Sequence, residues 1–394
     1  VGNRCGPQTA GALVCIARRA GGACRMALIH APLPAYGRPS RLVRYLLVGY
    51  TLLICYASWY PFHPWREPVE TWFAFLVAPW PRYYTVADVV LNVLSYFPFG
   101  FLAGLAVLPR TSARTGAVLA TLAGTLLSFG MESLQQFMPA RVSSNLDLLA
   151  NSLGSMLGGV LAMTVGERWL LSGNLHRLRH RVFLPGAAVD VGFVMLVAWL
   201  FTQLNPEVWL FGNGDLRWLL TLAPNLQFTP ASYRWLETAV TAANLAAICL
   251  FIAALAKPGE GVGGPLLGLI SVALALKSAA ALTLFVPGDA ALWLTPGSML
   301  GIPAGLMLYL ALLWLPRRGM LLASALLLAG GALLVSIAPE NPYIEAAVQT
   351  WQHGHFLSFS GLTRLVSTLW PAVACAYLLW LLGMPFDISV QARE

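Results

Sequence analysis

Residues 147–165 read DLLANSLGSMLGGVLAMTV, a run whose only charge is at its first position. As an α-helix it would rise about 28 Å, close to the hydrocarbon thickness of a bilayer. Working outward, comparable apolar blocks recur near 42–60, 88–108, 115–137, 186–204, 236–256, 265–286, 291–315, 320–338 and 366–383. The chain of 394 residues is 58% apolar and only 10% charged, where an ordinary soluble domain carries about 25% charged residues. A water-soluble fold is excluded. The pattern predicts an all-α, polytopic integral membrane protein of about ten transmembrane helices.

The formal charge of +8 could suggest nucleic acid, but the basic residues are scattered between the apolar blocks and form no stripe. Their distribution has a topological explanation. With the N-terminus inside, 17 basic residues fall in inner segments and 6 in outer ones, while the acidic residues lean outward, 11 to 5. The positive-inside rule then puts the N- and C-termini in the cytoplasm. The expected location is the cell (inner) membrane, with membrane lipid as a partner and no nucleic acid.

The organisation expected from this pattern has five parts. Residues 1–41 read as a disordered or non-native cytoplasmic tail, since they start with Val, hold Cys5, Cys15 and Cys24, and reach a first methionine only at Met26. Residues 42–166 form a four-helix unit whose first span, lacking a small-x-small cleavage site, is a retained signal-anchor. A basic cytoplasmic loop, 167–184, precedes a six-helix unit, 185–384, and a cytoplasmic tail, 385–394. No Cys-x-x-Cys occurs, so no disulfide framework follows. Residues 65–84 carry Trp65, Trp72, Phe73, Phe75, Trp80, Tyr83 and Tyr84, which favour the headgroup layer, and the outer loops 205–235 and 339–365 repeat this with Trp209, Trp218, Trp235 and Trp351.

Polar residues concentrate at one end of the four-helix unit. The second span opens Thr85-Val-Ala-Asp88-Val-Val-Leu-Asn92 and the fourth Ser144-Asn-Leu-Asp147-Leu-Leu-Ala-Asn151. Both begin with a capping signal, which accounts for the hydroxyls and aspartates. Capping does not account for Asn92 and Asn151, one turn deeper on the aspartate's face, where an amide needs a partner from another helix. The echo raises the idea of two parallel helical hairpins. The third span reaches the same end with Glu132-x-x-Gln135, and Arg141 is the nearest cation. Asp88, Asn92, Glu132, Gln135, Arg141, Asp147 and Asn151 are therefore expected on one outer surface, with Arg141 pairing to Glu132 or Asp147. A carboxylate below the interface must be protonated, paired or facing a wet cavity.

Elsewhere, Lys277 lies too deep in its span to snorkel and must pair or face water. Asp190 reads as solvated at the inner interface. His176 and His180 sit among arginines, and His353-x-His355 lacks a third ligand at zinc spacing, so no metal site is expected. No cofactor-binding or nucleophile motif appears in a suitable context.

Asp88-x-x-x-Asn92, Phe97-Pro98-Phe99-Gly100, Glu132-x-x-Gln135 and Arg141-x5-Asp147-x-x-x-Asn151-x-x-Gly154-x-x-x-Gly158, in that order, resemble the VanZ-like family, and Tyr60-Pro61-Phe62 also fits. The resemblance covers about residues 42–165. It implies an envelope membrane protein, in a family whose founding member is associated with low-level resistance to the lipoglycopeptide teicoplanin. Family members often carry extra acidic residues where this chain has Ser143, Ser144 and Asn145. Pro98, Gly100, Gly154 and Gly158 read as structural, the proline kinking its helix and the glycines allowing close approach. The function expected is recognition, without catalysis, of an amphiphilic or glycan-bearing envelope ligand at the outer polar surface. A membrane enzyme acting on a lipid-linked substrate, or a transporter using Lys277, are the alternatives.

Overall fold

The computed structural model describes residues 41–68, 71–108, 111–171, 174–205, 207–217, 229–282, 289–339 and 357–384. The predicted tails at either end, His353, His355, Trp218 and Trp351 lie outside the described residues. Among the described residues eleven α-helices follow one another: α1 (Arg41–Trp59), α2 (Val86–Val107), α3 (Ala113–Gln135), α4 (Asn145–Leu161), α5 (Asn174–Val182), α6 (Ala187–Thr202), α7 (Pro230–Leu255), α8 (Gly263–Ala280), α9 (Pro296–Leu312), α10 (Arg317–Ile337) and α11 (Leu357–Gly383). No strand occurs among the described residues. Among the described residues eight helices are long and apolar enough to cross a membrane, while α6 and α9 are shorter apolar helices. Together these ten elements coincide with the ten apolar blocks of the sequence.

Local chemistry explains the helix starts. Thr85 and Asp88 form a reciprocal capping box on α2, Ser112 caps α3, and Thr229 and Thr295 cap α7 and α9, each followed by proline at a position where no amide hydrogen is needed. The helix of α2 runs on through Pro98. Outward-facing Leu52, Leu126, Met307 and Leu326 are each more than 60% exposed, as expected of side chains whose solvent is lipid rather than water.

The segment expected to be a basic loop is mostly helical. Residues Ala162–Leu171 prolong α4 as a π-helix, and α5 follows. Its alternation of Leu175, Leu178 and Val182 with Arg177, Arg179, His180 and Arg181 is that of an amphipathic helix, which charge density alone disguises. Asp190 is not simply solvated either. It is buried and paired with Arg179, whose guanidinium also lies over the Phe193 ring.

Two packing regimes coexist. In the four-helix unit α2 and α4 meet along a glycine seam: a Cβ on Gly154 would strike the carbonyl of Val93, one on Gly158 the carbonyl of Phe97, and one on Gly100 the backbone of Ser155. Backbones this close are how helices associate where no hydrophobic effect separates them from lipid. In the six-helix unit α7 is the hub, flanked by α9 and α10, with Leu245, Ile248, Leu250, Phe251 and Leu255 all nearly inaccessible. Helix α1 packs on α2 and also on α6 and α11, joining the two halves.

Candidate functional site

The polar site stands at the end of the four-helix unit where α1 and α3 finish and α2 and α4 begin. Its geometry comes from four-residue spacing on three helices. One face of α2 carries Asp88, Asn92 and Tyr96, α3 carries Ser128 and Glu132, and α4 carries Asp147, Asn151 and Ser155. Residues spaced by four stack on one side of a helix. From Asp147 to Ser155 such a ladder descends about 12 Å.

The sequence-identified residues take distinct places. Asn92 donates to Asp147 across the α2–α4 interface at 2.8 Å. Asn151, 5% exposed, donates to Ser128 on α3 at 2.9 Å. Glu132 is 4% exposed; one carboxylate oxygen accepts the Ser144 amide at 2.9 Å, and its backbone carbonyl accepts the Ser143 hydroxyl at 2.6 Å. The serines of the α3–α4 turn thus close the end of α3. Gln135 donates to the Ser58 carbonyl of α1 at 3.0 Å. Asp88 stays in the cap of α2, accepting from the amide and hydroxyl of Thr85 at 3.0 and 2.8 Å. Its charge reaches Asp147, and that of Asp147 reaches Glu132.

Arg141 departs from the expected pairing. It forms no ion pair with Glu132 or Asp147; its guanidinium donates to the carbonyl of Tyr60 at 3.0 and 2.8 Å and to that of Ala57 at 2.8 Å. The end of α1 leaves carbonyls without helical partners and carries the negative pole of the helix dipole, which suits a planar, five-donor cation. Burial lowers the pKa of Arg141, and the charge of Glu132 opposes that shift. The arginine therefore ties α1 to the α3–α4 turn while its field still reaches the acids.

Further groups complete the site and were not singled out in the sequence. The Tyr96 hydroxyl lies near Ser128 and within electrostatic range of Glu132, without a completed hydrogen bond. The Trp59 indole N–H, the Ser133 and Ser155 hydroxyls and the Asn151 carbonyl oxygen are likewise buried and unpartnered. Such groups are rare in folded proteins because each forfeits its hydration. Extending the Asp88–Asn92 and Glu132 spacing by one more turn would have reached Tyr96 and Ser128.

The aromatic residues 60–84 are more than an interfacial belt. Phe75 is 2% exposed and stacks on Phe129 of α3, as does Trp72. The Arg66 amide donates to the Phe137 carbonyl, and Asn145 donates to the Ala78 carbonyl. The segment lies over the ends of α3 and α4 and leaves Trp65, Trp80, Tyr83 and Tyr84 exposed. At its start, the Tyr60 ring lies where a Cβ on Gly361 of α11 would be 3.1 Å away.

Lys277 of α8 is buried away from the polar site. Its ammonium donates to the carbonyls of Asn205 and Val208 at 2.8 and 2.5 Å. Among the described residues no three His, Cys, Asp or Glu side chains are grouped as a metal ion would require.

The fold and site define a multi-pass helical membrane protein with a buried acidic and amide cluster in its first half. Residues 34–166, a third of the chain, match the VanZ/LLP1 family model, so this segment is VanZ-like. No curated protein and no solved structure matches the chain.

Proposed function

We propose that the cluster is an outer-face binding site for an amphiphile with a polar or glycan-bearing head, in a cell-membrane protein of ten crossings with both termini cytoplasmic. The supporting observation is the coincidence, between α2, α3 and α4, of the Glu132 and Asp147 carboxylates with unpartnered donors and acceptors on Tyr96, Trp59, Ser133 and Asn151. Carboxylates and amides present acceptors to sugar hydroxyls and amines, while buried donors left unpaired favour a ligand able to complete them. The exposed aromatics of residues 60–84 suit the apolar tail and the sugar faces, and the arginine's field limits the net negative charge. In this reading the VanZ-like segment contributes to tolerance of teicoplanin-type lipoglycopeptides.

The test is genetic and then biochemical. In a strain whose deletion alters sensitivity to envelope-directed agents, Glu132→Ala and Asp147→Ala should each reproduce the deletion, and Asp88→Ala should not. Wild-type sensitivity in both of the first two variants sinks the proposal. A second reading, a membrane enzyme acting on a lipid-linked substrate, draws on the buried carboxyl of Glu132 with the Tyr96 hydroxyl within its electrostatic range, an acid and a hydroxyl that a bound substrate could bridge. Turnover of a lipid-linked glycan by the purified protein, lost in Tyr96→Phe, would favour it over binding alone.

A further inference from the structure

The six-helix unit contains a second polar feature, unrelated to the VanZ-like site. The sequence places residues 205–235 in an outer loop, yet the part that follows α6 is packed inside the protein. Leu210, Phe211 and Asn213 are 2%, 0% and 1% exposed. Gly212 faces α7, where a Cβ would be 2.8 Å from Val240. The Gly214 amide donates to the Ser367 carbonyl of α11 at 2.9 Å, and its carbonyl accepts from Ser336 of α10 at 3.1 Å. Left-handed backbone at Phe211 (φ 61°) and Gly214 (φ 94°) bends the segment into this junction. Non-helical chain at membrane depth persists only where protein or a wet cavity surrounds it.

Three buried side chains, one on the tip and two on the helices packed around it, have polar atoms unpartnered. Both amide atoms of Asn213, the carbonyl oxygen of Asn244 and the hydroxyl of Ser367 have no hydrogen bond. Asn244 is one turn along α7 from Val240 and lies against Gly331, the neighbour of Ala332, which itself faces Gly214. The contacts of the bent segment with α7, α10 and α11 therefore set these three residues around it. The same segment already holds a cation farther back, since the Lys277 ammonium rests on two of its carbonyls. Glu237 is buried against Gly297 on α9, and Asp215, next to Gly214, is held by Arg217 at 2.5 Å.

We propose that this tip binds one alkali-metal cation of Na⁺ size, ligated by Asn213 Oδ1, Asn244 Oδ1 and Ser367 Oγ, with carbonyls of the bent segment completing the shell. Neutral amide, hydroxyl and carbonyl oxygens suit a monovalent ion, as unwound membrane helices do, whereas Ca²⁺ and Mg²⁺ call for carboxylates. A water entering with the ion accepts from Asn213 Nδ2. Binding at the junction of α7, α10 and α11 locks the segment between them.

The experiment uses the full chain in detergent, with ²²Na⁺ equilibrium binding and thermal unfolding in NaCl, KCl or choline chloride at one ionic strength. One Na⁺ per chain is expected, with a higher unfolding midpoint in NaCl than in choline chloride and a smaller gain in KCl. Asn213→Ala and Ser367→Ala should each weaken binding at least tenfold, while Leu52→Ala, at an exposed position of α1, leaves it unchanged. Should Asn213→Ala fail to fold, the wild type and Ser367→Ala decide. Equal midpoints in sodium and choline with no bound ²²Na⁺, meaning that water alone fills the tip, overturn the proposal. So does undiminished binding in Ser367→Ala.

Discussion

Helices α2 and α4 open with the same pattern, a hydroxyl residue, an aspartate three residues on and an asparagine four beyond that, yet the two aspartates are held differently. Asp88 folds back on Thr85 in a capping box complete within three residues and half open to solvent. Asp147 makes no such box. Ser144, the corresponding cap residue, gives its amide to Glu132 and takes the Leu146 amide on its hydroxyl, so Asp147 reaches across to Asn92. The short pattern sets a tendency to cap, and the neighbouring helix decides whether the carboxylate stays local. Where α3 delivers a buried glutamate, the cap is taken over and the aspartate becomes part of an interhelical network.

The comparison can be broken at several strengths. Gly158→Leu should cost the most, since its Cβ meets the Phe97 backbone and cannot be relieved by a rotamer change. A loss of about 3 kcal/mol, read by unfolding in mixed micelles, is expected with separation of α2 from α4. Asp147→Ala comes next. It leaves the Asn92 amide unpaired in a half-buried place, and a loss of about 1–3 kcal/mol is expected by the same measurement. A double-mutant cycle on Asn92 and Asp147 should return a coupling of about 0.6–1.7 kcal/mol, the span found for interhelical hydrogen bonds in membranes. Asp88→Ala should cost least, about 1 kcal/mol, the ordinary worth of a helix cap. If Asp88→Ala costs as much as Asp147→Ala, the two openings are equivalent after all and the contrast is lost.

The apolar helices were legible because crossing hydrocarbon demands a run of apolar residues, and that demand is written into composition. The polar residues where α2 and α4 begin were legible for the same reason, as conspicuous exceptions to it. What escaped lacks such a signature. Tyr96 and Ser128 pass as members of an apolar run. The partners of Arg141 are backbone carbonyls, which every residue owns, so no spacing points to Ala57 and Tyr60. Residues 209–214 have the glycines and tryptophan of a surface loop, and only packing against α7, α10 and α11 tells that 210–214 are interior. Lys277 was expected to pair or face water; bent backbone offered it carbonyls that no regular helix has free.

Tyr60 belongs to two neighbourhoods at once: its carbonyl anchors Arg141, and its ring lies on Gly361, beyond the segment that matches the family model. The boundary of resemblance is therefore not a mechanical boundary. A chain cut after residue 166 would keep every acid and amide of the site but lose the surface that steadies its arginine. Any rearrangement joining this VanZ-like segment to other helices would have to supply a flat, small-residue seat for that ring, and the size of the side chain at position 361 would set how firmly Arg141 is held.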